Sequence, residues 1–257
     1  MSIAMRPMEL GDVSAVTTMI RDSFEPALYP YMAFTQEGIG NFLSVPLLYR
    51  GTAPDNCRFV AWDPAEPSAI RGFADFRTQN NGENFLSYIC VPDRFRGEGI
   101  ATFLIDSFAA GQPTMNKLSL DVFRENASAR SLYEKLGFTY GDATAWITKD
   151  LQGSNDAVTI PSLAMSVAAH HEYGFSEMNV ILDESEFRVG RLGERVLRCF
   201  TIDEFENDRL LAGLCRIFPD LRHAFAIVPE SFLPALSEEP NIINRSQRMV
   251  REYERTL

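Results

Sequence analysis

The stretch Phe85–Phe108 constrains this chain most. An apolar run, Phe85–Val91, passes through Pro92-Asp93-Arg94-Phe95-Arg96 into Gly97-Glu98-Gly99. A helix then begins, with Ile100, Phe103, Leu104, Ser107 and Phe108 on one face. The start of such a helix leaves four N–H groups unpaired, and these attract anionic oxygen and gain from the helix dipole. Glycines, which have no Cβ, let the backbone come close to a diphosphate. Taken alone, Arg96–Ala101 fits a glycine turn opening any α/β helix equally well, so other parts of the chain must decide.

Two phosphate-binding alternatives fail on geometry. Gly97-x-Gly99-x-x-Thr102 resembles a dinucleotide fingerprint, and Asp121 lies about the ~20 residues downstream that such a site uses. That fingerprint, however, puts its first glycine at the strand end, whereas here Pro92–Arg96 intervene. The unit also follows an antiparallel meander of strands near Arg58–Trp62, Arg71–Arg77 and Phe85–Val91, with turns at Asp63-Pro64…Pro67 and Gln79–Gly82. A GxxxxGK[ST] loop does not occur in the sequence.

The second half of the constellation follows a strand at Leu118–Val122. In Asn126-x-x-Ala129-x-x-Leu132-Tyr133-Glu134-Lys135-x-Gly137-Phe138, the residues Asn126, Ala129 and Tyr133 share one helix face. Asn126 also suits the N-cap, and Gly137 a left-handed C-cap with Phe138 folded back on the last turn. Together, Val91–Ala101 and Leu118–Phe138 resemble the GNAT superfamily of acyl-CoA N-acyltransferases. The R/Q-x-x-G-x-G/A loop matches at Arg96, Gly99 and Ala101, and the later segment matches N-x-x-A-x-x-L-Y-x-x-x-G-F. The order of elements from residue 1 to about 151 also fits that family.

The resemblance implies a mixed α/β sheet in which Phe85–Val91 and Leu118–Phe123 run parallel and splay apart, leaving a slot for pantetheine. Val91 would pair with that arm. The N–H groups of Gly97, Glu98, Gly99, Ile100, Ala101 and Thr102 would hold the pyrophosphate, with Arg96 beside them and Asn126 and Ala129 along the pantetheine. Tyr133 would point at the thioester sulfur and donate to the departing thiolate, where a hydrogen bond to charge developing in the transition state lowers the barrier. The general base departs from the commonest family pattern. Glu83 is the candidate, with Asp75 beside it; the residues alone read Glu83 as a solvated turn acid and Asp75 as a surface strand residue. An amine of modest pKa can give its proton to water, so the missing base does not exclude activity. The implied reaction is transfer of an acetyl group from acetyl-CoA to the primary amine of a small molecule or peptide. The alternative is a non-catalytic acyl-CoA sensor.

Composition narrows the setting. The chain has 257 residues, of which 46% are hydrophobic, enough for one large or two modest domains. The formal charge of −11 is spread almost evenly between the halves without a basic stripe, which disfavours nucleic acid. No apolar run suits a bilayer and the first residues lack a signal-peptide core, so the expectation is a cytoplasmic protein without a membrane partner. Cys57, Cys90, Cys199 and Cys215 show neither pairing nor zinc spacing, and no metal is expected.

The remaining segments complete the expectation. Ser2–Met8 reads as a strand, and Asp12 as the cap of a helix bearing Val13, Val16, Ile20 and Phe24. The aromatic, proline-broken Tyr29–Phe34 either walls an acceptor pocket or packs on the sheet, and a helix follows near Gln36–Leu43. Thr139–Tyr140 and Ala145–Leu151 read as closing strands, and Gln152–Asp156 as a linker. That places a GNAT-like domain at 1–151 and a smaller α/β domain at 160–257. In the latter, Phe187–Leu192 and Arg195–Thr201 form a hairpin, Asp203 caps a helix bearing Leu210, Leu211, Leu214 and Ile217, His223–Val228 is a strand, and Asn241–Leu257 is a helix. His170-His171-Glu172 reads as surface or linker. A degenerate second GNAT half, an acceptor module and a homodimer surface are all open as roles for this domain.

Overall fold

Alternating apolar runs and capped amphipathic segments give a mixed order of strands and helices. In the computed structural model, residues 3–49, 56–78, 81–153 and 157–253 are described. The chain begins with β1 (Ala4–Pro7) and α1 (Val13–Asp22). Two 3-10 turns (Pro26–Tyr31, Ala33–Thr35) lead into α2 (Ile39–Leu48). A meander of β2 (Asn56–Asp63), β3 (Glu66–Thr78) and β4 (Glu83–Cys90) precedes α3 (Ile100–Ala110), β5 (Lys117–Phe123), α4 (Ala127–Lys135) and β6 (Thr139–Asp150). Next come α5 (Leu163–Tyr173), β7 (Phe175–Leu182), β8 (Ser185–Leu192), β9 (Val196–Cys199), α6 (Ile202–Glu206) and α7 (Asp208–Ile217). The described chain closes with β10 (His223–Pro229) and β11 (Asn241–Glu252).

These elements make two compact units that interleave along the sequence. The first comprises Met1–Glu25, Leu43–Asp142 and Gln247–Leu257; the second comprises Pro26–Phe42 and Ala143–Ser246. This division differs from the expected cut between 151 and 160, because both β6 and β11 begin in one unit and end in the other. Part of the expected linker, Ser154–Asp156, lies outside the described residues, as do Ser2, Gln79, Asn80 and residues 254–257.

In the first unit the strand order is β1-β2-β3-β4-β5, continued by the second half of β11 and the first residues of β6. Helix α3 covers one face with Ile100, Leu104, Ile105 and Phe108, and α4 adds Tyr133, against Ala74, Phe76, Leu86, Leu118 and Leu120. Phe76 and Phe108 stack with centroids 3.8 Å apart. Strand side chains alternate, so Phe73 and Asp75 point to the opposite face. The second unit has the order β6-β10-β9-β8-β7, with the first half of β11 on the far side of β6. Its core joins Val180, Val189 and Leu197 to Phe205, Leu210, Leu211 and Leu214.

Several expectations are corrected. The segment expected as a C-terminal helix is strand β11. Arginines 245, 248 and 251 and the apolar Met249 and Val250 suggest a helical period, but Ser246 and Met249 are the residues it buries. Thr144 and Ser246 share a hydrogen bond of 2.7 Å in the second unit, and Tyr253 N–H reaches Asn116 O at 2.8 Å in the first. The closing strands near 139 and 145 are one strand, β6. The helix expected near Gln36–Leu43 is α2, shifted toward the C-terminus. Asp12 does not cap α1 with its side chain; its carboxylate takes Arg6 (2.6 and 2.9 Å) and Glu9 N–H (2.8 Å). Thr201 and Asn207, not Asp203, cap two helices where one is expected. The aromatic segment packs within the second unit, with Tyr31 5.1 Å from Phe225.

Candidate functional site

The site begins where two parallel strands stop pairing. β4 and β5 are in register from Glu83↔Lys117 to Leu86↔Leu120, and the ladder ends there although β4 runs on to Cys90 and β5 to Phe123. The cause is visible on the other edge of β4. Its register against β3 shifts between Asp75↔Tyr88 and Phe76↔Leu86, so Ser87 is an extra residue, a bulge that bends the strand. On the face away from α3, Phe24 bridges the fork, with its ring 5.9 Å from Tyr88 on β4 and 6.1 Å from Phe123 on β5.

Beyond β4, a 3-10 turn at Asp93–Phe95 leads to Gly97 (φ +82°) and Gly99 (φ +78°), the latter being the N-cap residue of α3. Left-handed values like these cost other residues about 1–2 kcal/mol. A Cβ on either glycine would meet nothing within 4 Å, so the space over the loop is open. Phe103 is the first residue of α3 whose N–H reaches a carbonyl, that of Gly99 at 2.9 Å. Among the described residues the N–H groups of Gly97, Glu98, Gly99, Ile100, Ala101 and Thr102 have no acceptor. The result is an anion nest at a helix start. Arg96 flanks it, held by Asp93 (2.8 Å) and by Val91 O (3.4 Å).

On the α3 face, α4 presents Tyr133, which is 6% exposed and packs on Phe138 with centroids 5.7 Å apart. Burial, and after it the neighbouring Cys90, pushes the phenol well above its ordinary value, so it stays protonated through the neutral range. The Cys90 thiol, at the end of β4, is pushed up to about 11 by burial, against the smaller opposing pull of Ser23 and Arg96. Asn126 caps α4, accepting Ala129 N–H at 3.0 Å. Gly137, at φ +83°, and the Phe138 N–H to Tyr133 O bond (3.0 Å) close the helix as expected.

The two carboxylates differ from their sequence readings. Glu83 starts β4 and pairs with Lys117 at 2.9 Å, a hydrogen bond that holds its carboxyl below the ordinary range. It lies four residues from the bulge, about 13 Å along a strand. Asp75 is not a surface residue: it is 1% exposed, sits opposite Tyr88 beside the bulge, and lies 3.6 Å from the Arg58 Nε. Burial raises its pKa against the pull of Arg58 and Arg77. In the second unit, His170 is likewise buried on α5 near Arg191 and Glu194. Among the described residues, no cluster of three or more His, Cys, Asp or Glu could hold a metal, and no helix is long and apolar enough to cross a membrane.

Residues 54–140, which contain the fork, the loop and α4, match the family described as Acetyltransferase (GNAT) domain. Residues 54–140 carry a GNAT acetyltransferase domain. The fold likeness extends beyond that domain. A putative acetyltransferase from Pyrococcus horikoshii superposes with a TM-score of 0.66 at 13% identity, covering 98% of this chain and 90% of its own. A tandem GNAT protein from the clavulanic acid biosynthesis pathway gives 0.63 at 12% identity, covering 98% of both chains. A putative acetyltransferase from Thermoplasma acidophilum gives 0.54 at 10% identity, covering 97% of this chain and all of its own. At these identities the likeness is one of fold. No curated protein matches the sequence. The mixed α/β architecture is thus shared over nearly the whole chain with acetyltransferases, one of them a tandem GNAT protein, and the GNAT fold of the matched segment is one that supports acyl transfer.

Proposed function

We propose that the first unit transfers an acetyl group from acetyl-CoA to a primary amine. The observation that carries this is the fork between β4 and β5 opening beside six N–H groups without acceptors at Gly97–Thr102. A pantetheine arm needs an extended backbone edge, which β4 offers from Ser87 to Val91. A diphosphate needs convergent donors without Cβ atoms above them, which the loop offers. Asn126 and Ala129 line the same face of α4 as Tyr133.

In the reaction, the amine nitrogen bonds to the thioester carbon and the C–S bond breaks. The amine gives up a proton and the thiolate gains one. Tyr133 is suited to the second transfer, because a buried, protonated phenol aims a hydrogen bond at charge that forms as the thiolate leaves. Glu83, an anion tied to Lys117, would take the amine proton only through water at its distance from the bulge. The acceptor is an amine of a small molecule or peptide, and the setting proposed for the enzyme is the cytoplasm.

Calorimetric titration with acetyl-CoA, CoA and NADH tests the donor, with micromolar acetyl-CoA affinity and no NADH heat expected. Release of free thiol in the presence of an amine panel then tests transfer. The engagement of Glu83 by Lys117 favours one other reading, a sensor that binds acyl-CoA without turnover; binding with no thiol release against any amine would select it.

A further inference from the structure

We propose that each chain binds one acyl-CoA, in the first unit, and that the second unit is a GNAT-type half whose donor site is closed from within by Glu204. The inference rests on the donor reading above. The second unit has its own parallel pair, β9 and β10, followed by a helix just as β4 is followed by α3. Three features of that counterpart differ.

The ladder between β9 and β10 runs from Val196↔His223 to Cys199↔Ala226, the full length of β9, so β9 has no unpaired extended stretch beyond the ladder such as β4 has from Ser87 to Cys90. The helix that follows is entered through Phe200 and Thr201, without glycines, and three donors at its entrance, the N–H groups of Phe200, Thr201 and Glu204, are taken. The Glu204 carboxylate accepts Phe200 N–H at 3.0 Å, the Thr201 hydroxyl at 2.7 Å and the Thr201 N–H, while Thr201 Oγ1 accepts Glu204 N–H at 3.4 Å. Glu204 is 6% exposed. A phosphate approaching this helix would find those entrance donors occupied and a buried carboxylate in its place. After β10, where the first unit has the Asn126-capped helix with Tyr133, the second has a 3-10 turn at Glu230–Ala235 containing Pro234. No tyrosine occurs between Pro229 and Asn241.

The experiment is calorimetry of the full chain with acetyl-CoA. One equivalent is expected, and two equivalents overturn this proposal alone. Absence of any binding overturns the donor reading and this proposal with it. Gly99→Glu is expected to abolish all binding; residual binding would place a site elsewhere and overturn the proposal. Glu204→Gln is expected to leave the dissociation constant within about twofold while lowering the melting temperature, and a loss of about tenfold or more would contradict it. Hydrogen exchange of the wild-type chain does not depend on any variant folding. Acetyl-CoA is expected to protect Gly97–Thr102 and leave Phe200–Glu204 unchanged, and protection of Phe200–Glu204 would overturn the proposal.

Discussion

The starts of α3 and α6 follow equivalent strands, yet one leaves its entrance donors open and the other engages three of them with its own side chains. Gly97–Thr102 offers six N–H groups to no acceptor, while Thr201 and Glu204 form a reciprocal capping box. The capped start is the more self-sufficient, because each satisfied donor removes a cost that the open one carries. The open start is what a ligand can use. In a fold like this a site is made where local structure declines to complete itself: the bulge at Ser87, the interrupted ladder after Leu86, and the two left-handed glycines.

The units also differ in what completes them, and the largest effect should come from removing that. Residues Gln247–Glu252 of β11 lie in the first unit, where Met249 is fully buried in the core with Leu118, Leu120 and Tyr133. Arg248 pairs with Asp121, with one contact at 3.0 Å, and Arg251 with Asp106 at 3.3 Å. Met249 alone is worth about 3 kcal/mol, whereas each exposed ion pair adds about 0–1 kcal/mol. A chain ending at Ser246 keeps the Thr144–Ser246 bond in the second unit but strips the first unit of a strand next to β5. It is expected to lose acetyl-CoA binding and the first unit's melting transition, followed by calorimetry and circular dichroism. Undiminished affinity would show that β5 holds the slot without β11.

Next in size is Tyr133→Phe. The second unit has no phenol in the matching segment, so the proposed leaving-group role rests on this one group. Removing a donor to the leaving group is expected to lower kcat roughly 100-fold with little change in KM for acetyl-CoA. Thiol-release kinetics at saturating amine check it, and an unchanged kcat would assign Tyr133 to packing against Phe138 alone.

The units should also part company as pH falls. In the second, burial and then Arg191 hold the His170 imidazole below its ordinary value, against the pull of Glu194. Its folded state therefore binds a proton less readily than the unfolded chain. Stability from this group is complete above the unfolded value of about 6.5 and declines as pH falls from there toward the lower folded value. In the first unit, burial favours the neutral form of Asp12, but Arg6 and the Glu9 N–H outweigh it and hold the carboxyl low. That contribution is complete above the unfolded value of about 3.9 and is lost only as pH falls further through the folded one. Between pH 7 and 5, hydrogen-exchange protection factors, taken relative to the intrinsic rate at each pH, are expected to fall in α5 and β8 while those of β1 and α1 hold steady. His170→Gln is expected to flatten the change, and an equal fall in protection in both units would break the contrast.

What was legible in the sequence follows the same division. The GNAT loop, the α4 face and the meander are local patterns, and each lies where the residues pointed: Gly99 opens α3, Asn126 caps α4, and Gly137 closes it. The β4–β5 fork also parts as the resemblance implied. The misses are long-range. β11 reads as helical because its register is set by partner strands more than a hundred residues earlier in the chain. Helix α5 and strand β7 escape the sequence reading. The helix buries Ser166 and His170 while leaving Leu163, Met165 and Val167 exposed, the reverse of the pattern that periodicity detects. Asp75 looks like a surface residue because alternation alone cannot tell which face α1 will cover.

The smallest expected effect separates two roles for Asn126. Its side chain caps α4 at 3.0 Å, as Asn207 caps α7 by accepting Leu210 N–H at 3.0 Å in the second unit. Replacing either by alanine removes one hydrogen bond at a helix start and is expected to cost about 1 kcal/mol, a fall of roughly 2–4 °C in melting temperature. If capping were the whole role of Asn126, the two variants would behave alike and acetyl-CoA affinity would not move. The position of Asn126 on the Tyr133 face predicts otherwise. Asn126→Ala is expected to weaken acetyl-CoA a fewfold beyond its effect on stability, while Asn207→Ala leaves affinity untouched. Equal affinities in paired titrations would reduce Asn126 to a cap and leave the backbone of Gly97–Thr102 as the principal hold on the donor.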